Sequence, residues 1–245
     1  MGHITKIFII QSLKTTDKLK SGEELNKQIS ATILTDFKNV ETDDELFAQL
    51  DKIRDELKNE RGQYILHFDC HGNNGGIVVF DKSDNPYFIA WEKLRDNLRE
   101  IYLSSDIKPI VSFSSCKGFN AVKLVACFKP CPYYLVTGSL KSIGFQDSVD
   151  GYLMFYKNID TGRDYMDNVG EVRSKFPNLD FASYTAEQLL EIGWKNYLQT
   201  ELTPDKIKKR TEKIKAEFIA SEGKITKEQE DFIDNQFTKQ GTDKP

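Results

Sequence analysis

Apolar runs of strand length alternate along this chain with longer amphipathic stretches, and that alternation limits the fold more than any other feature. Ile4 to Ile10 is a largely apolar run suited to a strand buried on both faces, and a polar stretch then leads into a helix around Glu23 to Ser30. A short strand is expected within 31–40. Asp43 or Asp44 can cap the next helix, in which Leu46, Phe47, Leu50, Ile53 and Leu57 recur at helical spacing. Gln63 to Asp69 reads as the next strand, ending in Cys70-His71-Gly72-Asn73-Asn74-Gly75-Gly76. Ile77 to Phe80 and Tyr87 to Ala90 flank the turn formers Asp81 to Pro86, so a β-hairpin follows. Trp91 to Leu103 is amphipathic, Pro109 to Ser114 is a third core strand, a helix is expected near 121–128, and Tyr133 to Thr137 forms another strand. Asp147, with Asp150 three residues on, can start a helix through Tyr156.

Strands separated by helices at this spacing predict an α/β fold with a mostly parallel sheet and helices on both faces. The length of 245 residues lies near the upper end for one domain, with room for an appendage. The expected organisation is a core over 1–160, a helical C-terminal extension over 161–238 packed on or docking from it, and a disordered tail over 239–245. Tyr184 to Gln199 is read as an amphipathic helix of that extension, and Thr203-Pro204 starts another with proline in the first turn. Interaction helices share this pattern, so the extension is also a candidate docking surface.

Composition removes several function classes. The charged fraction is 29% and the net charge −4, so a nucleic-acid partner is not expected. No apolar run nears the roughly 20 residues of a membrane span, and Ile7 to Ile10 is too short for a leader's apolar part. The four cysteines, Cys70, Cys116, Cys127 and Cys131, are too few for a disulfide scaffold and suit a reducing cytosol. Cys127 and Cys131 have no second Cys or His pair to complete a tetrahedral site, so neither metal nor other cofactor is expected. The segment 73–76 lacks the Lys-Ser/Thr of a phosphate loop and reads as a mobile active-site loop.

Chemistry collects at the carboxyl ends of strands in parallel sheets, and His71 and Cys116 each fall just past one. A thiol near pKa 8.5 is only a few per cent thiolate at neutral pH, and an adjacent imidazole can take its proton. Gly72 permits close backbone approach, which makes its N–H an oxyanion donor alongside that of Cys116. Asp147 and Asp17 are candidate pocket residues for a basic substrate side chain, with Ser114 a third candidate beside the nucleophile. His67 and His3 read as structural.

The segments Tyr64 to Gly72 and Val111-Ser112-Phe113-Ser114-Ser115-Cys116-Lys117-Gly118 resemble the strand–His-Gly and strand–Cys-x-Gly pair of caspase-like peptidases, with the CHAT group as the nearest branch. The likeness spans about residues 4–160. Caspases carry the histidine about 50 residues before the cysteine; here positions 71 and 116 lie 45 apart. The resemblance implies a caspase-like sheet, a Cys116/His71 dyad, Gly72 in the oxyanion hole, and cleavage of a protein or peptide substrate in the cytoplasm. It further implies an effector of bacterial defence or cell death, switched by an activator protein or small-molecule signal. Ser114 stands where caspases carry glutamine and metacaspases aspartate, so the family's specificity does not transfer. The alternatives are a catalytically inactive binding module on the same sheet and an α/β small-molecule-binding protein.

Overall fold

A computed structural model describes residues 3–58, 61–106, 108–125 and 129–239, with side chains through 235. Cys127 and positions 240–245 of the expected tail lie outside the described residues.

The chain alternates as predicted: β1 (Ile4–Ser12), α1 (Ser21–Ile29), β2 (Thr35–Asn39), α2 (Asp43–Leu57) and β3 (Gln63–Asn73). The antiparallel ribbon β4 (Gly76–Phe80) and β5 (Pro86–Ala90) precedes α3 (Trp91–Ser104), β6 (Ile110–Ser114) and β7 (Leu135–Ser139). Then come α4 (Phe145–Asp160), α5 (Tyr165–Lys175) and β8 (Phe181–Thr185). The main sheet runs β2-β1-β3-β6-β7-β8, parallel throughout except for β8, which pairs antiparallel with β7. The fold class is therefore α/β with a mostly parallel sheet flanked by helices, as the alternation predicts.

Residue parity divides the core into two layers. Ile7 and Ile9 of β1, Ile65 of β3 and Ile110 of β6 meet Leu25 and Ile29 of α1 and Tyr152, Phe155 and Ile159 of α4. Residues of opposite parity serve the other face: Phe113 stacks on Phe68 at 4.9 Å and meets Trp91 of α3 edge-on at 5.1 Å. Trp91 is 1% exposed.

Local details differ from expectation where short polar residues compete. The cap of α2 is Thr42, whose side chain accepts the Glu45 N–H at 3.2 Å, so neither Asp43 nor Asp44 caps it. The helix expected near 121–128 is a 3₁₀ segment, Gly118–Leu124, pressed against β7. Gly138 permits that approach, since a Cβ there would lie 2.5 Å from the Phe119 nitrogen. The segment 73–76, expected as a mobile active-site loop, is largely strand: β3 continues through Asn73, and Asn74-Gly75 forms a two-residue turn into β4.

The unit boundary also moves. The chain divides into Met1–Ala186 and Glu187–Pro245, so residues 161–186 belong to the core and not to an extension beginning at 161. The reason is β8, whose pairing with β7 extends the sheet, and α5, which buries Val169 and Val172 in the same cluster as α4. Tyr184, expected in a helix, lies in β8 opposite Val136. The second unit holds α6 (Ala186–Glu201, beginning at the boundary), α7 (Pro204–Glu222) and α8 (Lys227–Lys239), a C-terminal helical appendage as expected.

Candidate active site

β3 and β6 are adjacent parallel strands in register as far as Asp69 opposite Ser114. His71 and Cys116, each two residues past that last pair, line one cavity of about 310 Å³. Two residues 45 positions apart (116 − 71) are thus brought to one sheet edge by strand order. Cys116 is a half-buried free thiol. Cys70 is buried, and burial together with the neighbouring Asp69 charge pushes its thiol well above the ordinary range, which makes it inert. Burial likewise raises the Cys131 thiol.

His71 is held by Asp17, a residue that sequence reasoning placed in the pocket without linking it to the histidine. Its Nε2 lies 2.9 Å from Oδ2 of Asp17, in the loop between β1 and α1. Asp17, expected in a substrate pocket, lines the cavity but is engaged by the histidine. Burial opposes its ionisation, but the hydrogen bond and charge of His71, the Lys14 N–H at 2.9 Å and the nearby Lys20 outweigh it, so the carboxyl titrates below its ordinary value. An ionised carboxylate only accepts, so Nε2 is the nitrogen that donates to Asp17, which leaves Nδ1 as the ring's other proton-exchanging nitrogen. The ring also packs edge-on against Phe80 at 5.3 Å.

The hairpin fixes where Gly72 directs its backbone. Because the turn has two residues, Asn73 and Gly76 form a hydrogen-bonded pair, and alternation makes Gly72 opposite Ile77 a non-bonded pair. The Gly72 N–H therefore points away from β4. β4 lies on the β1 side of β3, where the Phe80 N–H donates to Ser12 Oγ at 2.9 Å. The free side of Gly72 thus faces the end of β6. A Cβ on Gly72 would lie 2.9 Å from Ser115 Oγ and 3.0 Å from the Cys116 carbonyl oxygen, so a side chain there would push the turn after β6 away.

The turn after β6 is fixed from both sides. The Lys117 N–H donates to the Lys141 carbonyl and the Gly118 N–H to that of Ser115, both at 2.9 Å. Lys117 takes a left-handed conformation with φ 57°. Among the described residues the Cys116 N–H has no acceptor. Both expected oxyanion donors, Gly72 and Cys116, are thus uncommitted to β4 or to the turn.

Ser114 lines the cavity, with its hydroxyl 2.5 Å from that of Ser148 in α4. Asp147 is not among the cavity's lining residues. It is not the cap of α4 either, because the helix begins at Phe145 with Gly144 as its cap; Asp147 sits in the first turn, where its charge complements the helix dipole.

Asp69 is a site residue that sequence reasoning missed. It is 1% exposed, lines the cavity, and accepts from Ser21 Oγ at 2.8 Å and the Gly22 N–H at 2.6 Å, anchoring the start of α1. Burial raises its carboxyl to about 6 despite those bonds. The signal that could have found it is an acid inside the buried run 64–70. His67 is structural: burial lowers it to about 3, and Nδ1 lies 2.6 Å from the Tyr156 hydroxyl. His3 is exposed beside Asp160.

Among the described residues there is no group of three side chains suited to a metal, and no helix is long and apolar enough to cross a membrane. No protein-family model matches the chain, and no curated protein is significantly similar to it. Among solved structures, the crystal structure of Chaetomium thermophilum Raptor aligns with 50% of this chain and 12% of that chain, at 12% identity and a TM-score of 0.35.

Proposed function

We propose that this chain is a caspase-like cysteine endopeptidase with Cys116 as nucleophile, His71 as general base and Asp17 as the residue that orients the base. The observation that carries this reading is the convergence of His71 and Cys116 on one cavity, with Asp17 on Nε2 of the imidazole.

His71 Nδ1 takes the thiol proton, and the Cys116 thiolate attacks the carbonyl carbon of the scissile peptide. The carbonyl electron pair moves to oxygen, where the N–H groups of Gly72 and Cys116 receive it; one such donor is commonly worth about 3–4 kcal/mol. Collapse of the tetrahedral intermediate breaks the C–N bond, and the imidazolium gives its proton to the departing amine. His71 then deprotonates a water that attacks the thioester, releasing the acid and the thiol. Asp17 stabilises the imidazolium throughout, as the carboxylate of a serine-protease triad does. Proton transfer by a positioned base contributes roughly 10²–10⁴-fold. An effector role in defence or cell death, switched by a partner or small molecule, accompanies this reading through the family resemblance alone.

Iodoacetamide labelling near neutral pH tests the dyad. Cys116 is expected to react fastest among the cysteines, with His71→Ala slowing it by at least ~10²-fold if the imidazole generates the thiolate. Equal, slow labelling of all four cysteines, unchanged by His71→Ala, would refute the dyad.

A further inference from the structure

Asp17 can orient His71 only if its loop is held still, and positions 13–20, between β1 and α1, contain no regular secondary structure. Both ends of this loop are tied to neighbouring strands, β4 and β3. At one end Ser12 Oγ accepts the Phe80 N–H; at the other Asp69 accepts from Ser21 and Gly22. The tip is gripped by a third group. Asp84 Oδ1 accepts the Thr15 N–H at 2.5 Å and the Thr15 hydroxyl at 3.0 Å, while Oδ2 accepts the Thr16 hydroxyl at 3.0 Å. Thr16 directly precedes Asp17.

Asp84 is itself presented by a hydrogen-bonded turn between β4 and β5. Asp81 Oδ1 accepts the N–H groups of Ser83 and Asn85 at 2.8 and 2.9 Å, and its Oδ2 accepts from the Asn85 side chain at 2.8 Å. The Asp84 N–H closes the turn onto the Asp81 carbonyl at 3.0 Å. Asp84 adopts φ 62°, a conformation that aspartate tolerates better than most residues and that aims its carboxylate at the loop. The carboxylate serves the loop and not its own hairpin, since these three bonds all go to Thr15 and Thr16.

We propose that Asp84 is a positioning residue for this site: it pins Thr15 and Thr16 so that Asp17 holds the imidazole of His71 in register with Cys116. This inference rests on the cysteine-peptidase reading and adds to it a control point on the hairpin tip. These bonds are exposed, so their loss frees the loop without unfolding the sheet. The charged groups around this imidazole and its acid are Asp17, Asp69 and Asp84 on the acidic side and Lys14, Lys18 and Lys20 on the basic side, and a change at position 84 removes only the Asp84 charge.

The test uses Asp84→Gly, which removes the carboxylate while keeping the left-handed backbone accessible, and Asp84→Asn, which keeps one acceptor oxygen. Iodoacetamide labelling of Cys116 in the full chain is expected to slow by ~10-fold in Asp84→Gly, within the ~10²-fold that a misplacement of about 1 Å can cost. Asp84→Asn should recover part of that rate. The acid limb of the pH–rate profile should move to higher pH, as for Asp17→Asn, because an imidazolium without its carboxylate stabilises the thiolate less. In an Asp17→Asn background the Asp84→Gly change should add nothing, since both act through one contact. Nitrogen NMR should show the His71 ring leaving its single Nε2–H tautomer in Asp84→Gly. An unchanged pH profile and tautomer in Asp84→Gly, or an equal further loss in the Asp17→Asn background, would overturn the role of Asp84. If His71→Ala fails to slow labelling of the wild-type chain, the peptidase reading itself fails; if His71→Ala slows it and Asp84→Gly does not, only Asp84 is wrongly assigned.

Discussion

The two units of this chain hold their helices in different ways. In Met1–Ala186, α4 buries Val149, Tyr152, Phe155, Tyr156 and Ile159, and α2 buries Leu46, Leu50, Ile53 and Leu57. In Glu187–Pro245 the only buried residues among those described are Thr211 and Ile233, while Leu190, Trp194 and Phe232 stay exposed. What defines the second unit's helices is local. Thr203 caps α7 through the Lys206 N–H, Pro204 occupies its first turn, and Gly223 ends it at φ 76°. Ion pairs such as Lys195 with Glu191 and Lys215 with Asp234 decorate the surface. A buried side chain of Leu or Phe size contributes roughly 1.5–3 kcal/mol, whereas a cap contributes about 1 and an exposed ion pair less. The cavity lined by His71 and Cys116 lies in the unit whose helices have the first kind of support.

Three measurements probe this contrast. The largest effect is expected from a matched pair of tryptophans. Trp91→Ala removes a ring that is 1% exposed and should cost about 3–5 kcal/mol in urea unfolding of the first unit. Trp194→Ala removes one that is 57% exposed and should cost less than about 1 kcal/mol. Similar losses for both would erase the distinction.

Next comes pH. His67 stays neutral in the fold down to about 3, whereas an unfolded histidine protonates near 6.5. Between those values the unfolded chain binds a proton that the folded chain does not, so stability falls as pH drops from 6.5 towards 3. Asp69 acts oppositely: titrating at about 6 when folded and at 3.8 when unfolded, it adds stability as pH drops from 6 towards 3.8. The histidine is displaced further from its ordinary value than the aspartate. Together these two groups should therefore destabilise the first unit on acidification, by a few kcal/mol at most, since a tenfold change in proton affinity is worth ~1.4 kcal/mol. His67→Gln should change the slope of the urea midpoint between pH 6 and 4 from a slight fall to a rise on acidification, because only the opposing contribution of Asp69 remains. An unchanged slope would mean that His67 is not held neutral.

The smallest effect tests the second unit. Thr203→Ala should weaken α7 by about 1 kcal/mol, seen as faster amide exchange in its first turns, without altering Cys116 labelling. A change in labelling would show that the cap reaches the site.

Much of the first unit was legible because buried parallel strands write themselves as apolar runs, and β1, β3 and β6 fall where those runs are. His71 and Cys116 were legible for the same reason: each follows such a run beside a glycine, or one residue short of it. β8 was not. Five residues, Phe181 to Thr185, leading directly into a helix carry no periodicity of their own, and only pairing with β7 makes them a strand. Asp17 was legible as a pocket residue, but its bond to His71 was not, on similar grounds. Its partner lies 54 residues away, and nothing local to a polar loop says which side chain it will meet. Asp147 looked like a cap because acids favour first turns, but the helix starts two residues earlier at Phe145.

Local sequence was enough to set most of the alternation of strand and helix, the sheet edge at which His71 and Cys116 follow their apolar runs, and the caps that delimit α7. Those features depend on short stretches of chain, where spacing and side-chain type suffice. Tertiary structure alone decided that Asp17 meets the imidazole, that Asp69 anchors α1, that Asp84 grips Thr15 and Thr16, and that the first unit extends to Ala186. Each of these joins positions far apart in the chain, and such contacts are set by strand order and register in the sheet, not by the residues that make them.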